Sequence, residues 1–349
     1  MTIEEITACD PTGMFSWLAD FPKQVAEAVQ IGKRASLKIN VRGIRTIVLT
    51  GLGGSAIAGD LLRSYLAEEL SLPFIVSRHY LLPDFVDRHS LVIVSSYSGM
   101  TEETVSAYKD AIRRKAKILC ITTGGTIEKL AARKKHPVIK IPGGLQPRAA
   151  IGYSFFSTLY ALIKLGFIRS KVSDVSETIL LLRKKSLLFR DPSHPDNLAL
   201  HLATSLYSNL PIIYSPVEHL DAVNVRWRGQ IAENAKQLAF GHVLPEMNHN
   251  ELVGWNIGEE WMKKMHVLFL RDRKTHHRIA AREEITKQLL LQKAGNVTEV
   301  WSEGKSLLAR MFSLLYLGDW TSYYLAILNK VDPVPVEVIS RLKDGLAKL

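Results

Sequence analysis

The sequence predicts an α/β protein of two units, each a parallel β-sheet flanked by helices in three layers. Three observations carry this. Short β-branched runs alternate with helix-periodic stretches; the runs are apolar throughout rather than at every second residue; and the order of elements starts again in the second half. Strands buried on both faces read in this way, and strand–helix alternation builds parallel sheets. A chain of 349 residues holds roughly two domains at about 150 residues each.

Residues 1–45 read as helical, with Phe15, Leu18, Phe21, Val25 and Val29 at helical spacing. Strands follow at Thr46–Thr50, Pro73–Arg78, Leu91–Ser95, Lys117–Ile121 and Pro137–Ile141, with an apolar helix over Ala149–Leu165. The stretch from about Ile168 to Pro211 is helical and charged and reads as a bridge. Beyond it, Pro211–Tyr214, Met265–Leu270 and Val297–Trp301 read as strands. Helices are expected near Asn224–Leu238, Thr275–Lys293 and Leu307–Leu328, and Gly241–Trp255 reads as a polar loop. The expected division is therefore 1–45 as a helical segment, 46–167 as the first domain, 168–210 as the bridge and 211–349 as the second domain.

Composition narrows the function. Hydrophobic residues at 47% and charged residues at 23% exclude disordered, collagen-like and coiled-coil classes. Two cysteines, Cys9 and Cys120, are too few for a disulfide framework or a cysteine-rich zinc site, and they suit a reducing compartment. The N-terminal residues carry Glu4, Glu5 and Asp10 and do not read as a signal peptide. No uncharged apolar stretch reaches the ~18 residues of a membrane span. The net charge of +11 fits either an anionic partner or solvated helix ends such as Arg133-Lys134-Lys135. No zinc finger, RNA-recognition consensus or basic zipper accompanies it, so no nucleic-acid partner is expected.

Two turns carry the chemistry. Gly51-Leu52-Gly53-Gly54-Ser55-Ala56 follows the first strand and opens a helix, where glycine admits close backbone approach and free N–H groups face an anion. The turn fits the dinucleotide fingerprint, yet no acid follows the second strand. Arg78 stands there and leaves an NADP reading open. After the third strand, Ser96, Ser98 and Thr101 place three hydroxyls in one strand-to-helix turn, ahead of Glu102 and Glu103. Hydroxyls and helix-terminal amides together satisfy a phosphate monoester. The competing reading is an ordinary helix cap by Ser98 or Thr101.

Gly53-Gly54-Ser55 with Ser96-Tyr97-Ser98-Gly99-Met100-Thr101-Glu102-Glu103-Thr104 resembles the sugar isomerase (SIS) fold family, whose members bind phosphosugars. The resemblance implies two SIS-type domains and a phosphate grip by Gly54, Ser55, Ser96, Ser98 and Thr101.

The second half offers acid–base groups. Glu233 lies in the helix Arg226–Lys236, three residues before Lys236, which alone reads equally as a surface pair. His249 sits in Pro245-Glu246-Met247-Asn248-His249-Asn250-Glu251. The flanking carboxylates invite a metal reading, although His-x-Glu alone is poor support for one, and a histidine oriented by its neighbours suits proton shuttling. Arg148 follows Pro147 in a loop, where solvent exposure is usual, but ahead of a helix that places it near the open ends of the sheet.

These runs, with Pro147-Arg148-Ala149-Ala150-Ile151-Gly152-Tyr153 and the tail from Leu317 through Arg341-Leu342-Lys343, resemble the phosphoglucose/phosphomannose isomerase branch of that family. The resemblance implies an aldose–ketose isomerase acting through a cis-enediolate. Glu233 is the base between C1 and C2, His249 opens the ring and comes from the partner subunit of a homodimer, Arg148 stabilises the enediolate, and Lys343 matches the C-terminal lysine. It implies a cytoplasmic enzyme with no cofactor and no metal. Two rivals are a non-catalytic phosphosugar-sensing regulator, which normally carries a helix-turn-helix domain, and a glucosamine 6-phosphate synthase-type isomerase, which normally carries an N-terminal glutaminase domain. Neither extra domain is visible in the sequence.

Overall fold

The structure, a computed structural model, describes residues 1–346 and 348. The chain divides into two compact units. One comprises residues 20–180 with 306–309, and the other residues 1–19, 181–305 and 310 onward.

The first unit is built on five strands, β1 (Thr46–Thr50), β2 (Phe74–Ser77), β3 (Ser90–Ser95), β4 (Lys117–Thr122) and β5 (Val138–Lys140), all parallel in the order β2-β1-β3-β4-β5. The register sets Val48 between Ile75 and Val92. Every residue of β3 is buried, which accounts for its unbroken apolar sequence. On one face, Val48, Val92, Val94 and Cys120 pack against Ala107, Tyr108 and Ala111 of helix Glu102–Arg113 and Ile127 and Ala131 of helix Gly125–Lys134. Three more helices, Phe21–Arg34, Gly53–Tyr65 and Ile151–Lys164, complete the other side of the unit. The buried Gln24 ties the first of these to the last, its amide donating to the Ala149 carbonyl and accepting from the Gly152 N–H.

The second unit carries β6 (Leu210–Pro216), β7 (Phe240–Leu244), β8 (Met265–Arg271) and β9 (Asn296–Trp301), again all parallel, in the order β7-β6-β8-β9. This repeats the arrangement of β1–β4 without a counterpart of β5. Tyr214, Val267 and Phe269 on one face meet Met247, Trp255 and Leu290. Helix Asp221–Ala235 buries Arg226, Trp227, Gln230 and Asn234 against helix Leu307–Leu328. Trp227 Nε1 donates to the Leu314 carbonyl, the Arg226 guanidinium grips Asp319 at 3.0 and 2.7 Å, and Asn234 donates to Ser322.

The parallel α/β architecture agrees with the sequence, and several local details do not. The N-terminal helical reading resolves into helices Ile3–Cys9, Met14–Ala19 and Phe21–Arg34, after which residues 35–45 are irregular. Helix Asp221–Ala235 starts and ends three residues before the expected span, stopped at Lys236, which is left-handed at φ 55°. The supposed polar loop after Gly241 begins as strand β7.

Candidate functional site

In a parallel sheet of this order the chain leaves β1 and β3 in opposite directions, so a crevice opens beyond their carboxyl ends. Both hydroxyl-bearing turns sit there, within the first unit. The Tyr97 N–H donates to Ser55 Oγ at 3.2 Å, joining the turn after β1 to the turn after β3. Ser96 Oγ donates to Thr101 Oγ1 at 3.3 Å, and the Met100 N–H donates to Ser98 Oγ at 3.2 Å. Ser55 and Ser96 are buried, Thr101 half-buried and Ser98 exposed.

Thr101 does occupy the cap position of helix Glu102–Arg113, but its side chain makes no capping bond, and helix Gly53–Tyr65 has no side-chain cap either. The capping role the sequence left open is thus not taken up by these side chains, while the Ser55 N–H is bonded to the Leu52 carbonyl at 3.1 Å.

Two glycines bring the backbone segments together. A Cβ at Gly54 would lie 2.4 Å from the Pro147 carbonyl oxygen and 2.9 Å from the Arg148 N, so only glycine lets the helix start touch the 3₁₀ turn Pro147–Ala150. A Cβ at Gly99, where φ is +67°, would lie 1.8 Å from the Gly124 carbonyl oxygen. The structure therefore places Gly54, Ser55, Ser96, Ser98, Thr101 and Arg148 around one end of the sheet. Arg148 is not the solvated loop arginine that is commonest at such positions: it is only 3% exposed. Arg78, the cation of the NADP reading, is engaged by Asp60 in an ion pair.

Tyr97 is a residue whose part the sequence did not reveal. Its phenol oxygen accepts from the Leu145 N–H at 3.0 Å and its carbonyl accepts from Thr123 Oγ1 at 2.8 Å, so one residue braces the segment leading to Arg148. An aromatic residue inside a serine-rich turn was the available signal.

The second unit holds the acid–base candidates. Glu233 is half-buried near the end of helix Asp221–Ala235, which is fixed by the Arg226, Gln230 and Asn234 bonds to the helix it packs against. Lys236 Nζ donates to the main-chain carbonyls of Glu233 and Pro333, at 2.6 and 3.2 Å. Glu233 lines a cleft of about 660 Å³ with Gln237, Asp332 and Val336 and the start of helix Glu337–Leu346. Lys343 lies on that helix, exposed, and is not among the cleft residues. His249 does not line the cleft either. It closes the 3₁₀ turn Glu246–His249 and is exposed, and its imidazole makes no hydrogen bond among the described residues. The flanking carboxylates are occupied: Glu246 accepts from Asn250 at 2.8 Å, and Glu251 accepts from the Tyr214 hydroxyl at 2.5 Å. Among the described residues no cluster of three or more His, Cys, Asp or Glu side chains is arranged to hold a metal, and no helix is long and apolar enough to cross a membrane.

Two parallel sheets in one strand order, the first with hydroxyl-rich turns at its switch point, define a protein of two SIS domains. Family models agree: SIS domain matches residues 41–162, and bacterial phospho-glucose isomerase C-terminal SIS domain matches residues 195–346. A bifunctional phosphoglucose/phosphomannose isomerase from Caldicellulosiruptor bescii is 44% identical over 338 residues, 96% of this chain and 99% of that protein. One from Aquifex aeolicus is 37% identical over 305 residues, 86% and 90% of the two chains. A hypothetical protein from Thermus thermophilus shares the fold at a TM-score of 0.74, with 17% identity and coverage of 96% and 90%. The chain belongs to the family of bifunctional phosphoglucose/phosphomannose isomerases, and it is an isomerase.

Proposed function

We propose that the protein interconverts glucose 6-phosphate and mannose 6-phosphate with fructose 6-phosphate through a cis-enediol(ate), without a metal or cofactor. The observation that carries the reading is the 44% identity to a bifunctional phosphoglucose/phosphomannose isomerase across 96% of the chain. The hydroxyl-bearing turns at the ends of β1 and β3 support its phosphosugar part.

In this reading Gly54, Ser55, Ser96, Ser98 and Thr101 hold the phosphate, which anchors the sugar and leaves its reactive end to other groups. The protein acts as a homodimer in which the partner subunit's His249 opens the hexose ring, moving a proton from the C1 hydroxyl and delivering one to the ring oxygen. Glu233 then takes the proton from C2 and returns it to C1. The C1 carbonyl becomes an alcohol and the C2 alcohol a ketone, with no net redox change. Arg148 offsets the charge that grows on the enediolate oxygens, and Lys343 adds a second cation. Glucose and mannose phosphates differ only at C2 and converge on one enediol, so a base that reaches either face of C2 serves both.

The test is incorporation of solvent deuterium at C2 of the aldose phosphate formed from fructose 6-phosphate. Glu233→Gln is expected to lower exchange and turnover about a thousandfold or more, the scale of a lost general base, with KM little changed. Exchange at the wild-type rate would remove Glu233 from the proton-transfer role.

A further inference from the structure

The turn that carries His249 is held to its own unit at three points. Met247 is buried in the core beneath it. Asn248 Nδ2 donates to Thr286 Oγ1 at 2.8 Å, on helix His277–Leu291. Glu251 accepts from the hydroxyl of Tyr214, a fully buried residue in the middle of β6. That hydroxyl also accepts from Trp255 Nε1 at 3.0 Å, so the phenol has one donor behind it and one carboxylate ahead of it. The Glu251 N–H donates to Asn250 Oδ1, while Asn250 Nδ2 reaches back to Glu246. The residues on either side of His249 are thereby linked through the Asn250 amide, and the Glu251 carboxylate holds the downstream side to Tyr214. The half-buried Arg228 faces the same charge: burial holds its pKa below the ordinary guanidinium range, and Glu251 opposes that shift.

The geometry points to Glu251 as a positioning residue for His249, acting through a hydrogen-bonded chain from Trp255 and Tyr214. It rests on the reading in which His249 opens the sugar ring. His249 is exposed and unbonded, so nothing on the imidazole itself fixes its direction. The three anchors hold the turn that carries it, Met247 by packing against the sheet and Glu251 by a hydrogen bond to the Tyr214 hydroxyl. A phenol-to-carboxylate bond is charge-assisted and strong, and its loss frees the turn downstream of the histidine without emptying the core.

The experiment isolates ring opening. In a Glu233→Gln background, where proton transfer at C2 is blocked, protein-dependent anomerisation of glucose 6-phosphate is followed by exchange NMR. Tyr214→Phe and Glu251→Ala are expected to lower it about tenfold, the weight of one hydrogen bond to a charged group. Glu251→Gln, which keeps an acceptor for the phenol, is expected to stay within about threefold of the parent. In the otherwise wild-type enzyme the same variants lower kcat and leave KM within about twofold, since the phosphate grip is untouched. Unchanged anomerisation in Tyr214→Phe and Glu251→Ala, where His249→Ala abolishes it, overturns the positioning role alone. Unchanged anomerisation in His249→Ala overturns the ring-opening role of His249, and the positioning role falls with it. A loss in Glu251→Gln equal to that in Glu251→Ala also counts against the chain of bonds.

Discussion

At the scale of single residues, burial decides which side chains are informative. The sequence singles out Arg148 despite its loop setting, and its burial follows from the contact of Gly54 with Pro147, a long-range approach that no local period announces. Glu283 shows the same effect in a titratable group. It lies on helix His277–Leu291, and burial lifts its carboxyl from 4.5 to about 8. Arg271 Nε, 3.1 Å away, pulls it down, while Glu299, Glu218 and Asp272 push it up further. Neither Glu283 oxygen accepts a hydrogen bond, and Arg271 also serves Glu299 at 2.5 Å. A carboxyl raised on folding binds a proton that the unfolded chain releases. Its contribution is present in full below 4.5 and is lost as pH climbs to about 8. Glu283→Gln keeps the neutral shape and removes the titration. The melting temperature of the variant is therefore expected to gain on the wild type steadily between about pH 5 and 8, over a span of several degrees. A difference that stays level across that window would show that the carboxyl is ionised throughout.

At the scale of elements, the proposed phosphate grip rests on how closely a helix start and a 3₁₀ turn approach. Gly54→Ala places a methyl group 2.4 Å from the Pro147 carbonyl oxygen, a backbone atom that no rotamer change can move. Overpacking of this kind costs about 1–3 kcal/mol. Because the displaced segment carries Arg148, kcat/KM for sugar phosphate is expected to fall roughly tenfold to a hundredfold. Steady-state kinetics beside a thermal melt checks this, and an unaltered kcat/KM would detach the turn from substrate. The strands around that turn were legible because β1, β3 and β4 are buried on both faces and so nearly uniform in composition. Strand β7 was not. Among the described residues it pairs with β6 alone, its first four residues are exposed or half-buried, and Gly241 and His242 interrupt its apolar pattern. An edge strand has less need of continuous hydrophobicity, so Phe240–Leu244 looked like the beginning of the polar turn it leads into. The hydroxyl turns could be located from chemistry because both follow strands and open helices, although a helix cap competes as the reading of the second turn taken alone. Glu233 could not: a glutamate three residues before a lysine is an everyday helical pattern, and its proposed role came from resemblance.

At the scale of the whole molecule, chain order and unit membership part company. Residues 1–19 precede the first sheet but belong to the unit of the second. The reason is a set of directed contacts with helix Leu307–Leu328. Asp10 accepts from the N–H groups of Gly13, Met14 and Phe15 at 3.0, 2.8 and 2.7 Å, and from the Tyr323 hydroxyl at 3.0 Å. The Tyr316 hydroxyl donates to the Leu18 carbonyl, and the Phe15 ring meets Trp320 edge-on with centroids 5.3 Å apart. No periodicity within residues 1–45 distinguishes the part that serves one unit from the part that serves the other, because every helix there presents an apolar stripe. The separation is made by a buried carboxylate and its distant tyrosine. Asp10→Ala strands those donors in the interior, at a cost of about 2–4 kcal/mol for a buried, charge-assisted set. The loss should be local to one unit. Native-state hydrogen exchange is expected to show reduced protection in β6, β8 and helix Leu307–Leu328, with the amides of β1, β3 and β4 close to their wild-type values. Equal loss of protection in both sheets would mean that the two units unfold as one body.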